Sequence, residues 1–268
     1  MYREKENLWK AIVLDLDGTL LHSDGSVSEY TLKILRECKN RGIYIVVATA
    51  RFWFKAEKYL KLIAPDYAIL ADGTQIYHKG EMLYGFPMEQ WQSNGIISDL
   101  LAREDYDFVA SVGKMLLCSG AGIDEQWRSS GNFKEALAVP VYKLAAILQS
   151  ADQARALAEK YSCRLYSYRD EELYGFASEK SGKYQALLAL GDILHIGPEE
   201  MIAFGDDEND YEILQRVGTG VAVDNAISII RKIADAITES NNDDGVAKYI
   251  ERELLHLHPQ KSQENLLQ

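Results

Sequence analysis

The sequence predicts an α/β protein with a parallel-sheet core and an inserted α+β module. Three observations carry that expectation. Short apolar runs alternate with amphipathic helical stretches near the start of the chain, the alternation breaks between residues 85 and 178, and it resumes after Lys183. The expected domains are therefore a core of residues 1–84 and 179–268 and a module of residues 85–178. A chain of 268 residues, 47% hydrophobic, suffices for one large domain or two modest ones with a sizeable core.

Ala11 to Asp15 reads as a buried first strand. Ser28 is a natural N-cap, and the helix that it opens runs to Asn40, where Gly42 stops it. Residues 43–48 form a second strand that ends in Thr49-Ala50-Arg51. A helix through Lys55 to Leu62 leads to a third strand, Tyr67 to Ala71. The period then shortens, and residues 74–84 read as a hairpin turning at Lys79-Gly80. Inside the module, Ala151 to Tyr161 is an amphipathic helix, and residues 142–148 and 164–168 are strand-like. After Lys183 come a helix (Tyr184 to Leu194), a strand (Met201 to Phe204) ending in Gly205-Asp206-Asp207, and another helix. A strand (Gly220 to Val223), a helix (Asn225 to Ile233), a short strand (Ala236 to Thr238) and a helix from near Asp244 to Leu255 follow. Residues 256–268 carry no pattern and read as a frayed tail.

The net charge is −12, which argues against nucleic acid because binding a phosphate backbone needs a basic face. A small phosphorylated ligand needs only local positive charge, usually with a metal. No stretch approaches the roughly 20 apolar residues that span a bilayer. The charged start, Met-Tyr-Arg-Glu-Lys-Glu-Asn, lacks the apolar centre of a signal peptide, so a soluble, cytoplasmic protein is expected. No obligate protein partner is evident. Cys38, Cys118 and Cys163 are odd in number and far apart, which suggests free thiols.

The chemistry concentrates in Asp15-Leu16-Asp17-Gly18-Thr19-Leu20, directly behind the first strand. Ligands of open α/β sheets bind at the carboxyl ends of strands. A carboxylate there can attack phosphorus, and a second beside it can move the proton. Three further features stand at corresponding places. Thr49 ends the second strand, where its hydroxyl suits a phosphoryl oxygen or a helix cap. Lys183 precedes a helix, where its ammonium suits phosphoryl charge or plain solvent, with Lys180 as a nearby competitor. Gly205-Asp206-Asp207-Glu208-Asn209-Asp210 follows a strand, where its acids suit Mg²⁺ or a solvated helix start.

The order of these motifs resembles the haloacid dehalogenase superfamily, and in particular the Cof-like branch with the larger type of cap. The segments Gly220-Val221-Ala222-Val223-Asp224-Asn225-Ala226 and Thr238 to Ala247 are similar to that branch too. Two positions depart from its pattern. Ala50 stands where the branch usually has Gly, adding a methyl near the phosphate. Asp224 replaces another Gly and adds negative charge near the entrance.

The resemblance implies a Rossmann-like core and a Mg²⁺-dependent phosphatase that forms an aspartyl-phosphate. Asp15 would be the nucleophile and Asp17 the acid and base. The metal would be held by Asp15, the Asp17 carbonyl and Asp206, with Asp210 supporting that shell. Thr49, Lys183 and the Leu16 and Ala50 N–H groups would hold phosphoryl oxygens, with Asn209 nearby. Asn225 would bind phosphate or orient the loop, and Arg51 would bind phosphate or a cap acid. In the cap, Lys114, Arg128 and Arg169 are positive groups that suit either substrate or solvent. The cap aromatics (Trp91, Trp127, Tyr142, Tyr166, Tyr168, Tyr174, Phe176) read as core. The expected substrate is a sugar phosphate, or pyridoxal phosphate or FMN. A phosphomutase and a non-catalytic phosphate-ligand sensor are the alternatives.

Overall fold

A computed structural model describes residues 9–103, 107–119, 131–132, 135–168 and 172–255. The chain runs β1 (Ala11–Leu14), α1 (Glu29–Asn40), β2 (Tyr44–Ala48), α2 (Trp53–Ile63), β3 (Tyr67–Leu70), β4 (Gln75–His78), β5 (Glu81–Gly85), α3 (Gln90–Leu101), β6 (Phe108–Val112) and β7 (Met115–Ser119). It continues through β8 (Gly131–Asn132), β9 (Lys143–Ile147), α4 (Ala151–Lys160), β10 (Cys163–Ser167), β11 (Leu173–Ser178), α5 (Lys183–Leu194) and β12 (Met201–Gly205). It closes with α6 (Tyr211–Arg216), β13 (Thr219–Val223), α7 (Ser228–Ile233), β14 (Ala236–Thr238) and α8 (Gly245–Ile250). Two compact units result: Met1–Ile45 with Glu200–Gln268, and Val46–Glu199.

The first unit carries parallel strands in the order β14-β13-β12-β1. Each is an almost unbroken apolar run, as a strand covered on both faces requires. β1 has β12 on one side, and on the other Tyr44 N donates to Lys10 O at 2.9 Å. Chain order therefore reverses at β1, and such a reversal leaves a crevice beyond the strand tips. Leu14 pairs with Phe204, which brings Asp15 and Gly205-Asp206 level with one another. The predicted cap of α1 is present, with the Ser28 side chain accepting from Thr31 N at 3.0 Å. α7 begins at Ser228, not at Asn225, because Asn225 is engaged in side-chain bonds described below.

The second unit carries β2-β3-β4-β5, with the β4–β5 turn at Lys79-Gly80 where both residues have positive φ (47° and 85°). It also holds a six-stranded sheet ordered β10-β11-β9-β6-β7-β8, antiparallel except for β7–β8. Alternation divides that sheet into two faces. Phe108, Ala110, Leu144, Ala146 and Phe176 pack with Ile96 and Leu100 of α3 and Ala154 of α4. Val109 and Ala145 face the other way, onto Phe52 and Ala71. Lys143 shares that second face with Ala145. Of the cap aromatics, Phe176 and Tyr174 join the core, whereas Trp91 is 59% exposed. Trp127, Arg128, Arg169 and the tail from residue 256 lie outside the described residues. Cys38, Cys118 and Cys163 are buried free thiols, and burial pushes Cys38 and Cys163 up to about 12. Among the described residues no helix is long and apolar enough to cross a membrane.

Candidate active site

The loop after β1 is a wide turn closed by Leu21 N donating to Leu16 O at 2.9 Å. Gly18 makes the turn possible, with φ 73° in the left-handed region. A Cβ there would stand 2.5 Å from Asp206 Oδ2, so only glycine lets this loop lie against the β12 tip. Three side chains fasten it. Thr19 Oγ1 donates to Asp206 Oδ1 at 2.7 Å, and Asn225 Nδ2 donates to Gly18 O at 2.7 Å. Asn241 Nδ2 donates to Leu21 O at 2.8 Å, while Asn241 N donates to Asn225 Oδ1 at 2.9 Å. Asn225 therefore orients the loop.

Among the described residues, Asp15, Asp206 and Asp210 offer carboxylate oxygens within 4.8 Å of one another. They are 6%, 8% and 2% exposed, so their mutual repulsion is poorly screened by solvent. Such a set of hard oxygen donors fits a divalent cation. Asp206 has Oδ1 occupied by Thr19, which orients the carboxylate. Asp210 Oδ2 accepts from Asp206 N at 3.1 Å and from Asp207 N at 3.4 Å, so it also holds the loop that presents Asp206. The acidic run is thus divided: Asp206 and Asp210 are buried, Glu208 is exposed, and Asp207 and Asn209 are half-buried. Leu16 is buried, while Asp17 is exposed. Asp224 is on the surface, paired with Arg231 at 3.0 Å.

Asp244 ties the segment that follows the Gly18 loop to the start of α1. Its Oδ1 accepts from Ser28 Oγ at 2.7 Å and Thr31 Oγ1 at 3.0 Å, and His22 Nε2 lies 2.9 Å away. Burial pushes its carboxyl up, but the hydrogen bonds from Ser28, His22 and Thr31 outweigh burial and hold it below the ordinary 3.8. A depressed carboxyl stabilises the fold above its unfolded value, and that stabilisation disappears as pH falls through the folded value. Acid-unfolding curves of wild type and Asp244→Asn are therefore expected to differ above about pH 4 and to converge below it. Parallel curves across the whole range would contradict this role.

In the second unit, Thr49 is 1% exposed and is not the cap of α2, whose N-cap is Phe52. Its hydroxyl instead accepts from Arg51 N at 3.2 Å. Ala50 follows, half-buried. Lys183 opens α5 and is 4% exposed, so it is no solvated surface lysine, whereas Lys180 is exposed. A cation at a helix N-terminus opposes the helix dipole, a placement that serves a site better than a helix. Arg51 spreads over the Tyr59 ring at 4.9 Å, and Lys114 rests over Trp53 at 4.2 Å.

Two buried charges in this unit escaped the sequence reading. Lys143 and Asp72 are 1% and 0% exposed by side chain and are ion-paired. Tyr168 Oη donates to the same Asp72 Oδ2 at 2.6 Å, and Tyr166 Oη donates to Asp72 O at 3.2 Å. Tyr166 and Tyr168 thus belong to this charge cluster and not to the module's apolar core. An Asp-Gly pair reads as an ordinary turn and a lone lysine as solvated surface, so neither position gave a signal.

Curated relatives and solved structures agree with this architecture. A 5-amino-6-(5-phospho-D-ribitylamino)uracil phosphatase of Bacillus subtilis is 27% identical over 252 residues, covering 90% of this chain and 94% of its own. A phosphoglycolate phosphatase of Methanopyrus kandleri is 24% identical over 242 residues, covering 90% and 95%. The solved structure of a haloacid dehalogenase-like hydrolase from B. subtilis superposes with a TM-score of 0.78 at 26% identity, over 91% of this chain and 99% of that one. The family model of haloacid dehalogenase-like hydrolases matches residues 12–250, nearly the whole described chain, and the protein belongs to that family.

Proposed function

We propose that this phosphomonoesterase hydrolyses small phosphorylated metabolites through an aspartyl-phosphate on Asp15, with Mg²⁺ held by Asp15, the Asp17 carbonyl and Asp206. The observation that carries the reading is the buried triangle of Asp15, Asp206 and Asp210 at neighbouring parallel strand tips. An Asp15 carboxylate oxygen attacks phosphorus in line while the bond to the leaving alcohol breaks. Asp17 gives that alcohol a proton, then takes one from the water that attacks the acyl phosphate. Phosphate leaves and Asp15 is regenerated. The exposure of Asp17 supports this exchange, since the alcohol and the water must both reach it. When bound, Mg²⁺ supplies charge neutralisation between the anionic nucleophile and the anionic phosphoryl group.

Thr49, Lys183 and the N–H groups of Leu16 and Ala50 hold phosphoryl oxygens, with Asn209 beside them. These roles rest on the motif likeness, supported by the burial of Thr49 and Lys183. Residues 85–178 act as the cap that excludes water and selects the leaving group. The substrate is a sugar phosphate, pyridoxal phosphate or FMN. The Bacillus relative is named for a ribityl phosphate on a heterocycle, and FMN carries the same arm, which favours that class for the first trials.

The test is phosphate release from a panel of sugar phosphates, pyridoxal phosphate, FMN and nucleotides. Release is expected with Mg²⁺, to vanish in EDTA and to return when Mg²⁺ is restored. Silence on every compound would overturn the proposal, and conversion of a hexose 1-phosphate to its 6-phosphate without net release would replace it with phosphoryl transfer.

A further inference from the structure

The loop after β1 is built around a residue that cannot hold its own shape. Gly18, left-handed at φ 73°, stands between Asp17 and Thr19, whose hydroxyl orients Asp206. Glycine has the greatest backbone freedom of any residue, so the conformation of this loop has to be imposed by its surroundings. Two asparagines impose it, and both come from the far end of the chain.

Asn225 belongs to the turn after β13, which Ala226 N closes by donating to Val223 O at 3.0 Å. In the same turn Ile227 N donates to Asp206 O at 3.0 Å, and Asn225 Nδ2 reaches Gly18 O at 2.7 Å. One short segment therefore grips both the Gly18 loop and the backbone of Asp206. Asn241 lies between β14 and α8, in a loop that is closed on itself. Gly245 N donates to Ser240 O at 3.1 Å, and Thr238 Oγ1 donates to Gly245 O at 2.7 Å. A Cβ on Gly245 would stand 1.8 Å from Glu239 O, so this loop has no slack.

Both amides are held in one orientation. Asn241 is 4% exposed, and Ser240 Oγ donates to its Oδ1 at 3.2 Å, which leaves Nδ2 for Leu21 O at 2.8 Å. Asn241 N donates to Asn225 Oδ1 at 2.9 Å, which likewise leaves the Asn225 Nδ2 for Gly18 O. Asn241 thus fastens the loop twice, at Leu21 directly and at Gly18 through Asn225. The next residue, Asn242, grips further along the chain: its Oδ1 accepts from Ser23 N at 2.9 Å, and its Nδ2 donates to Ser23 Oγ at 3.0 Å.

We infer that Asn241 and Asn225 are positioning residues for the metal, which hold the Gly18 loop in register with Asp206 and so set the affinity for the divalent cation. The inference rests on the phosphatase reading, in which the Asp17 carbonyl and Asp206 hold Mg²⁺. A ligand set drawn from two loops binds well only while the loops keep their spacing, and groups that orient metal ligands typically change affinity about 10–100-fold.

The experiment is titration with Mn²⁺, followed by the loss of its free-ion paramagnetic resonance signal, in wild type, Asn241→Ala, Asn225→Ala and Asn242→Ala. The Kd is expected to rise about 10–100-fold in Asn241→Ala and Asn225→Ala and to keep its wild-type value in Asn242→Ala. Phosphate release should show the same split: the two weakened variants need more Mg²⁺, and their kcat returns to the wild-type level once Mg²⁺ saturates. A brace that serves only the fold would lower the melting temperature of Asn241→Ala in EDTA and leave every Kd unchanged, and that result overturns the inference. Equal weakening in Asn242→Ala overturns it too, because the bonds of Asn242 go to Ser23 and not to the Gly18 loop. Should Asn241→Ala fold poorly, Asn225→Ala, at an exposed position, decides the question against Asn242→Ala. If wild type binds Mn²⁺ but releases no phosphate, the phosphatase reading fails and the measured affinities still decide the inference.

Discussion

Asp15→Asn is expected to lower phosphate release at least about 10³-fold while leaving the circular dichroism spectrum unchanged. The amide has the shape of the carboxylate but no anionic oxygen to attack phosphorus. The surroundings of Asp15 add a second, less common expectation. Three buried carboxylates within 4.8 Å repel one another when no cation is bound. Removing one of the charges should leave the variant at least as heat-stable as wild type in EDTA, and less stabilised than wild type when Mg²⁺ is added. Asp17→Asn should behave differently. It should lose about 10²–10⁴ in rate, the scale of a general acid–base group, yet keep the Mg²⁺-induced rise in melting temperature. Equal turnover in either variant, or loss of the Mg²⁺ response in Asp17→Asn, would break the assignment of the two carboxylates.

Asp72→Ala is expected to cost about 3–5 kcal/mol of stability, because it leaves the Lys143 ammonium buried without its anion. That is a large fraction of the total for a typical domain. Lys143→Met should cost less, since Asp72 keeps the Tyr168 hydroxyl and the Lys183 charge. Combining Asp72→Ala with Lys143→Met should recover part of the loss, as neither charge of the pair is then left buried without the other. Urea unfolding of the three variants measures this directly. A value for Asp72→Ala within about 1 kcal/mol of wild type, the ordinary scale of point substitutions, would show that the pair holds little.

Much of this molecule was legible residue by residue. Ala11–Leu14 and Met201–Gly205 are apolar without interruption, and each ends in acid, so strand and site announced themselves together. Ser28 could be read as a cap because capping is local: its partner is three residues away. The family resemblance was legible for the same reason, since each motif is a short run at a strand or helix end. The Asp72–Lys143 pair was not, because its members are 71 positions apart and each alone has a bland explanation. Nor was the brace of Asn225 and Asn241 on the Gly18 loop, which joins three segments through backbone carbonyls and an N–H group that any sequence would supply. Thr49 and Lys183 stood between two meanings until burial removed the cap and the solvated surface as options.

The division of the chain also sets an order of assembly during synthesis. Val46–Glu199 is contiguous, whereas the unit holding the acidic triangle joins Met1–Ile45 to Glu200–Gln268. A ribosome making about 5–20 residues each second therefore completes the uninterrupted unit while Asp15 still waits for Asp206 and Asp210. Asp15 lies in the segment made before the contiguous unit, and Asp206 and Asp210 lie in the segment made after it. The acidic triangle is thus complete only when the segment that follows the contiguous unit closes back on the segment that precedes it.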